Sequence, residues 1–325
     1  MKYVIGMDAG STKTHLAIFT EQGKKIDLCA WGPLNHEGLP GSFAQLEDEL
    51  GQFIGGSLEK NGIMLTDIRL GVFGLAGVDT TAQHATISDI ILRIGIKDFT
   101  LFNDGFLGIP AGSGSGVGIC AINGSGESIF GLAEDGRTFQ IGGVGYVSSD
   151  MGGGYNLGRS VVSAVYRELF RMGEPTALTE MLFRELGITD KYDFVETIYR
   201  KTDDGTYNAG RLNPLLIDAA GQNDPVAAGL VRQIGHNYAG GIACMAKELA
   251  FPEDKPLDVV LAGSVFVKNE GTSLRDVMCE RVCELLPKHT VRFTLFDKPP
   301  VAGAIVWALK CLHGTADKDD VYKQI

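Results

Sequence analysis

Residues 7–20 read MDAGSTKTHLAIFT. Its first eight positions hold an acid (Asp8), a glycine (Gly10), three hydroxyls (Ser11, Thr12, Thr14) and an amine (Lys13), the composition of a turn that grips phosphate. A Walker loop would need Gly-x-x-x-x-Gly-Lys-Ser/Thr and would run into a helix whose N-terminus faces the phosphate. Here the continuation His15-Leu16-Ala17-Ile18-Phe19 is strand-like, so a hairpin tip has to supply the donors. Gly10 permits the tight turn, backbone N–H groups with Ser11, Thr12 and Thr14 can form an anion nest, and Asp8 can hold magnesium through water. An ordinary polar hairpin turn favours the same residue types. The stretch alone leaves both readings open.

Outward from it the chain alternates strands and helices. Tyr3–Met7, Thr14–Thr20 and Ile26–Trp31 read as three strands joined by turns too short for a parallel crossover, hence an antiparallel meander. A helix over 42–60, a strand at 68–73, a helix near 80–94 and a strand at Phe99–Phe102 follow. The second half opens in the same way: strand Gly116–Ile122, glycine turn Asn123–Gly126, strand Ser128–Leu132, and a further strand at Arg137–Gln140. Helices then dominate from about 155 to 250, one of them starting at Asp224-Pro225, where an N-cap precedes proline at the first helical position. Leu257–Leu261 is a buried strand ending at Ala262-Gly263-Ser264, and Val301–Leu312 an apolar helix. Two halves that each open strand, glycine turn, strand point to two similar domains facing a shared cleft.

Composition narrows the function classes. At roughly 150 residues per domain, 325 residues suggest two domains. The net charge of −11 argues against a broad nucleic-acid or anionic-membrane surface, both of which need clustered Lys and Arg. It does not oppose a single triphosphate, which backbone N–H groups and a magnesium ion can hold. Cysteines at 29, 120, 244, 279, 283 and 311 include no C-x-x-C, and Cys279 with Cys283 makes only half a metal site. They read as thiols of a reducing compartment. MKYVIGMDAG lacks the apolar region of a signal peptide, and no run of about 18 apolar residues offers a membrane span, so a cytoplasmic protein is expected.

Other motifs carry chemistry. Asn103-Asp104-Gly105 follows the strand FTLF, and a carboxylate there suits a general base, or an N-cap or Asp-Gly turn. Gly124-Ser125-Gly126 is the counterpart of the first hairpin in the second half. Gly142-Gly143-Val144-Gly145 leads to Ser149-Asp150, whose carboxylate either binds a substrate hydroxyl or caps the next helix. Gly263-Ser264 forms a small-residue turn after a buried strand, on which a flat base can pack.

Taken in order, Asp8-x-Gly-x-Thr-x-Thr, the Asp104 loop, Gly124-Ser125-Gly126 and Gly263-Ser264 resemble the sugar kinase, heat-shock ATPase and actin superfamily. Within it the whole chain looks like the BadF/BadG/BcrA/BcrD ATPase family, in particular its N-acetylglucosamine kinase branch. The resemblance implies an α/β fold of two ribonuclease-H-like domains, the actin-like ATPase fold, flanking an ATP/sugar cleft. Residues 1–115 would form the N-terminal domain and 116–325 a C-terminal domain with helical insertions, the last helix packing on the first domain. It implies ATP and Mg2+ as cofactors and an amino sugar phosphorylated at its 6-hydroxyl, with a homodimer as the usual assembly. Asp8 would position the magnesium through water, Gly10, Ser11, Thr12, Lys13 and Thr14 with Gly124, Ser125 and Gly126 would hold the phosphates, and Gly263 and Ser264 would flank the adenosine. Asp104 would be the base. Asn35, Gly77, Asp79, Gly143, Val144 and Asp150 would line the sugar pocket, Gly77 and Asp79 belonging to the GLAGVD loop of residues 74–79. The kinase branch often carries an aromatic residue where this chain has Val144, which keeps a glucosamine kinase as an alternative. Other members of the family are iron–sulfur activators of acyl-CoA reductases or dehydratases, a role wanting paired cysteines near the glycine loops, where only Cys120 is found.

Overall fold

The structure, a computed structural model, describes residues 1–268 and 273–325. It divides into two compact units, Met1–Val117 with Phe296–Ile325, and Gly118–Leu295. In chain order the first segment contains β1 (Tyr3–Ala9), β2 (Thr14–Thr20), β3 (Lys25–Trp31), α1 (Ser42–Lys60), β4 (Ile68–Leu75), α2 (Thr81–Ile94), β5 (Phe99–Phe102) and α3 (Gly108–Gly112). The second unit contains β6 (Gly118–Asn123), β7 (Glu127–Leu132), β8 (Thr138–Gly142), α4 (Gly154–Phe170), α5 (Ala177–Leu186), α6 (Phe194–Asp203), α7 (Asn213–Gly221), α8 (Pro225–Glu248), β9 (Leu257–Ala262), α9 (Ser264–Lys268), α10 (Ser273–Leu285) and β10 (Val291–Leu295). The chain then returns to the first unit with α11 (Val301–His313) and α12 (Lys318–Gln324). Residues 296–325, grouped from sequence with 116–325, therefore belong to the first unit.

Both sheets have the same plan. The first runs β3-β2-β1-β4-β5 and the second β10-β9-β6-β7-β8, so in each the opening strand is central. In each, the opening strand pairs antiparallel with the next strand and parallel with the later one. This is the ribonuclease-H-like order expected from the resemblance, and it occurs twice.

Alternation along β1 explains why the first sheet is covered on both faces. Ile5 and Met7, with Leu16 and Ile18 of β2, pack on Leu46, Leu50 and Phe53 of α1 and Ile87 and Ile91 of α2. Val4, with Ala17 and Phe19, faces the opposite way and is covered by Val301, Ala304 and Ile305 of α11. A Cβ on Gly6 would stand 2.8 Å from Ala304 Cβ, so that glycine lets the helix sit directly on the strand. α11 is thus held to the first unit by its own apolar length. In the second unit α8 begins as its sequence predicts, the Asp224 side chain accepting from Ala227 N–H ahead of Pro225. Buried Ile234, Tyr238 and Ile242 of this helix join the core that includes Ile119, Ala121 and Ile129 of β6 and β7. The strand that sequence reading omits is β10, VRFTL, a half-exposed edge strand paired among the described residues with β9.

Candidate functional site

In the first unit the β1–β2 hairpin closes through Gly10 N–H donating to Lys13 C=O at 3.0 Å. Its tip, Ser11 to Lys13, is exposed, while Thr14 at the start of β2 is fully buried. Among the described residues the Thr14 hydroxyl has no hydrogen-bond partner. A buried hydroxyl without a partner is costly, and at the base of a tip rich in N–H and O–H donors it fits an absent polar ligand.

Two carboxylates face this hairpin. Burial, together with the charge of Asp104, pushes Asp8 up to about 7, with Lys13 opposing. Asp104 is pushed up to about 6 by burial first, the charge of Asp79 adding to it and the Gly105 N–H opposing it. One Asp104 oxygen lies 4.0 Å from where a Cβ of Gly10 would stand. Close packing fixes the loop: a Cβ on Gly74 would fall 2.5 Å from Leu107 Cδ1, and one on Gly303 would fall 2.1 Å from the Leu107 carbonyl oxygen.

The remaining first-unit candidates converge on the same place. Asn35 Nδ2 donates to Ser11 Oγ at 3.1 Å, tying the Leu34-Asn35-His36 turn to the hairpin tip. Gly77, at φ +82°, lies against that turn; a Cβ there would meet Asn35 Oδ1 at 2.7 Å and His36 Cε1 at 2.8 Å, so only glycine fits. Asn103 was not among the sequence candidates, yet it is the connector. Its Oδ1 accepts from Gly105 N–H at 3.0 Å and its Nδ2 donates to Asp79 at 2.9 Å, joining the Asp104 loop to the GLAGVD loop. His36 stacks on Phe43 with centroids 4.2 Å apart, and burial lowers its pKa, which favours the neutral ring.

The second unit builds a comparable cradle. Gly124 N–H donates to Gly126 C=O at 3.0 Å across the β6–β7 turn. The first turn of α4 lies on this hairpin: Gly154 N–H donates to Gly124 C=O at 2.8 Å, and a Cβ on Gly153 would be 2.5 Å from Gly126 Cα. Gly263, at φ +94°, is as close on another side, its Cβ position 2.5 Å from the Asn123 carbonyl, with Ser264 opening α9 beside it. Asn123 Oδ1 accepts from Gly153 N–H at 2.8 Å, whereas its fully buried Nδ2 has no partner among the described residues. Among the described residues the first hairpin therefore carries two orphaned polar atoms, Thr14 Oγ1 and the neighbouring His15 Nδ1, and the second carries one, Asn123 Nδ2.

Of the two roles read for Asp150, a substrate contact or a helix cap, the cap is not made: α4 begins after Gly153 without a side-chain cap. Asp150 accepts from Gly143 N–H at 3.0 Å, Gly145 N–H at 2.8 Å and Ser148 Oγ at 2.7 Å, and so shapes the loop bearing Gly143 and the exposed Val144. Sequence reading also missed Glu127. This buried carboxylate follows Gly126 directly, and one of its oxygens accepts from both Met151 N–H at 2.9 Å and Gly152 N–H at 2.5 Å. It fastens the hairpin to the segment after Asp150. Burial, reinforced by the Asp150 charge, pushes it up to about 7.

A divalent cation suits the Asp8 environment, because a positive charge offsets the burial and the Asp104 repulsion that raise the pKa of this half-buried carboxylate. No group of three His, Cys, Asp or Glu side chains among the described residues could hold a metal, so such a cation would be shared with phosphate and water.

The chain matches the BadF/BadG/BcrA/BcrD ATPase family over residues 5–308. It belongs to that family. An N-acetylmuramic acid/N-acetylglucosamine kinase of Clostridium acetobutylicum is 30% identical over 201 residues, 62% of this family member and 65% of the relative, just under two thirds of that relative's length. An N-acetyl-D-glucosamine kinase of Dictyostelium discoideum is 22% identical over 315 residues, 94% and 97% of the two chains. A solved structure from Chromobacterium violaceum, provisionally assigned as an N-acetylglucosamine kinase, superposes with a TM-score of 0.63 at 20% identity, covering 94% of this chain and 98% of that one. That similarity shows the fold. This BadF/BadG/BcrA/BcrD family member has the two-sheet architecture of the actin-like ATPases.

Proposed function

We propose that the chain is an ATP-dependent amino-sugar kinase that moves the γ-phosphoryl group of ATP to the 6-hydroxyl of N-acetylglucosamine. The observation that carries the reading is Asp104: a half-buried carboxylate of weakened acidity just after the parallel edge strand β5, facing the phosphate-type hairpin and joined through Asn103 to Asp79. A base works best with a pKa near the working pH. Phosphoryl transfer has a loose transition state, so the protein's task is positioning and charge stabilisation. Asp104 would take the proton of the attacking hydroxyl, while Asn35, Gly77, Asp79, Gly143, Val144 and Asp150 would hold the sugar. Gly10 to Thr14 and Gly124 to Gly126 would bind the phosphates, and Gly263 and Ser264 the adenosine. Magnesium, when bound beside Asp8, would neutralise phosphate charge.

The names of the Clostridium and Dictyostelium relatives support the N-acetylated sugar. Glucosamine remains the alternative substrate within the same site. The iron–sulfur activator reading loses support from Cys120, a fully buried thiol pushed up to about 12, unsuited to ligating a shared cluster. A homodimer in the cytoplasm completes the proposal; no helix among the described residues is long and apolar enough to cross a membrane. The test is product analysis by 31P–1H NMR after incubation with ATP, magnesium and each of N-acetylglucosamine, glucosamine and N-acetylmuramic acid. Phosphate coupled to the C6 protons of N-acetylglucosamine is expected. Coupling at another carbon would overturn the 6-hydroxyl, and a phosphorylated glucosamine alone would overturn the N-acetyl requirement.

A further inference from the structure

Along one face of α4 runs a groove of about 520 Å³, lined by Tyr155, Arg159, Tyr166, Arg167, Arg171 and Tyr207, with buried Phe194 at its floor. Its size suits a small ligand. Its chemistry is unusual for a chain of net charge −11, since three guanidiniums line it and no carboxylate does. Among the described residues none of the three is in an ion pair. The aromatic rings are organised around them. The Arg159 guanidinium lies 5.8 Å from the Tyr155 ring centroid, and the Tyr166 and Phe194 centroids are 6.2 Å apart. Arg159 also opposes the burial-driven rise of the Tyr207 pKa, which puts its charge within reach of that hydroxyl. Arg159 and Arg167 are two turns apart on the helix, about 12 Å along its axis, so positive charge stands at both ends of an aromatic floor.

We infer that this groove is a binding site for an acidic sugar, a ring compound bearing a carboxylate or phosphate. The rings of Tyr155, Tyr166 and Tyr207 offer flat apolar surface to the C–H face of a sugar, and the tyrosine hydroxyls with Ser163 offer hydrogen bonds to its hydroxyls. The guanidiniums select the anion, for which their planar forks are suited. The occupant rests on the helix whose first turn is hydrogen-bonded to the Gly124–Gly126 hairpin, including Tyr155 N–H to Ser125 C=O at 3.3 Å.

The site is tested by isothermal titration of the whole chain with glucuronate, glucose 6-phosphate, neutral glucose and AMP. The variants are Arg159→Ala, Arg167→Ala and the double substitution, each checked for unchanged thermal unfolding and ADP affinity. Binding of at least one acidic sugar is expected, with glucose at least tenfold weaker. Loss of one charge-assisted contact should weaken the acidic sugar about tenfold or more, and the double variant should abolish detectable binding. The inference is overturned if neither acidic sugar binds, if the double variant binds them like the parent, or if the double substitution weakens AMP more than it weakens both acidic sugars. Only binding is read, so the result stands apart from the outcome of any kinase assay.

Discussion

Replacing Glu127 by glutamine is expected to make the protein more stable above neutral pH. In the folded state Glu127 is buried and pushed from its ordinary 4.5 up to about 7, chiefly by burial. Below pH 4.5 both folded and unfolded chains carry the proton, and the residue has no net effect. Between 4.5 and about 7 the folded state keeps a proton that the unfolded state has lost, so stability falls as pH rises, by up to about 1.4 kcal/mol per pH unit. Above 7 the penalty is complete, about 3 kcal/mol. Glutamine never ionises and avoids it. The amide also preserves the structural role, since Met151 and Gly152 N–H both reach the same Glu127 oxygen and an amide oxygen in that place accepts both. Urea unfolding of parent and variant at half-unit steps from pH 5 to 8.5 measures the difference directly. Asp8 and Asp104 have raised pKa values in both proteins, so they cancel in the comparison. A variant that is equally or less stable at pH 8.5, or whose advantage does not grow between pH 5 and 7, would refute the reasoning.

Three further outcomes are expected. Asp104→Asn removes the proposed base and should lower turnover about 10²–10⁴-fold, with ADP affinity by titration nearly unchanged. Thr14→Val removes a buried hydroxyl that has no partner, so thermal unfolding should hold or rise while ATP binding weakens, as calorimetry would read. Gly263→Ala puts a Cβ 2.5 Å from the Asn123 carbonyl at φ +94°, and should cost at least about 1–2 kcal/mol of stability by chemical unfolding.

Much of the fold was legible because strong periodicity and glycine turns coincide with it. Thr14–Thr20 was read residue for residue, and the Asp224-Pro225 start of α8 carries its own cap. β10 escaped because VRFTL is short, lies at a sheet edge and has no buried residue to mark a face. For the candidate site, sequence could identify hairpin tips by composition, but not connectors. Asn103 matters through Asp79, 24 positions away, and Glu127 through Gly152, 25 away. The one local signal for Glu127 was a carboxylate opening a largely apolar strand, ESIFGL. Asp150 shows the same limit: the glycine run announces a turn, and Gly143 and Gly145 do take positive φ, but nothing in the sequence says that their amides converge on Asp150.

The most direct test of the central claim is ADP release from ATP and magnesium, followed by a coupled assay with and without N-acetylglucosamine. Release that depends on the sugar, and that Asp104→Asn suppresses, is the predicted result. A rate unaltered by N-acetylglucosamine, glucosamine or N-acetylmuramic acid would contradict the account.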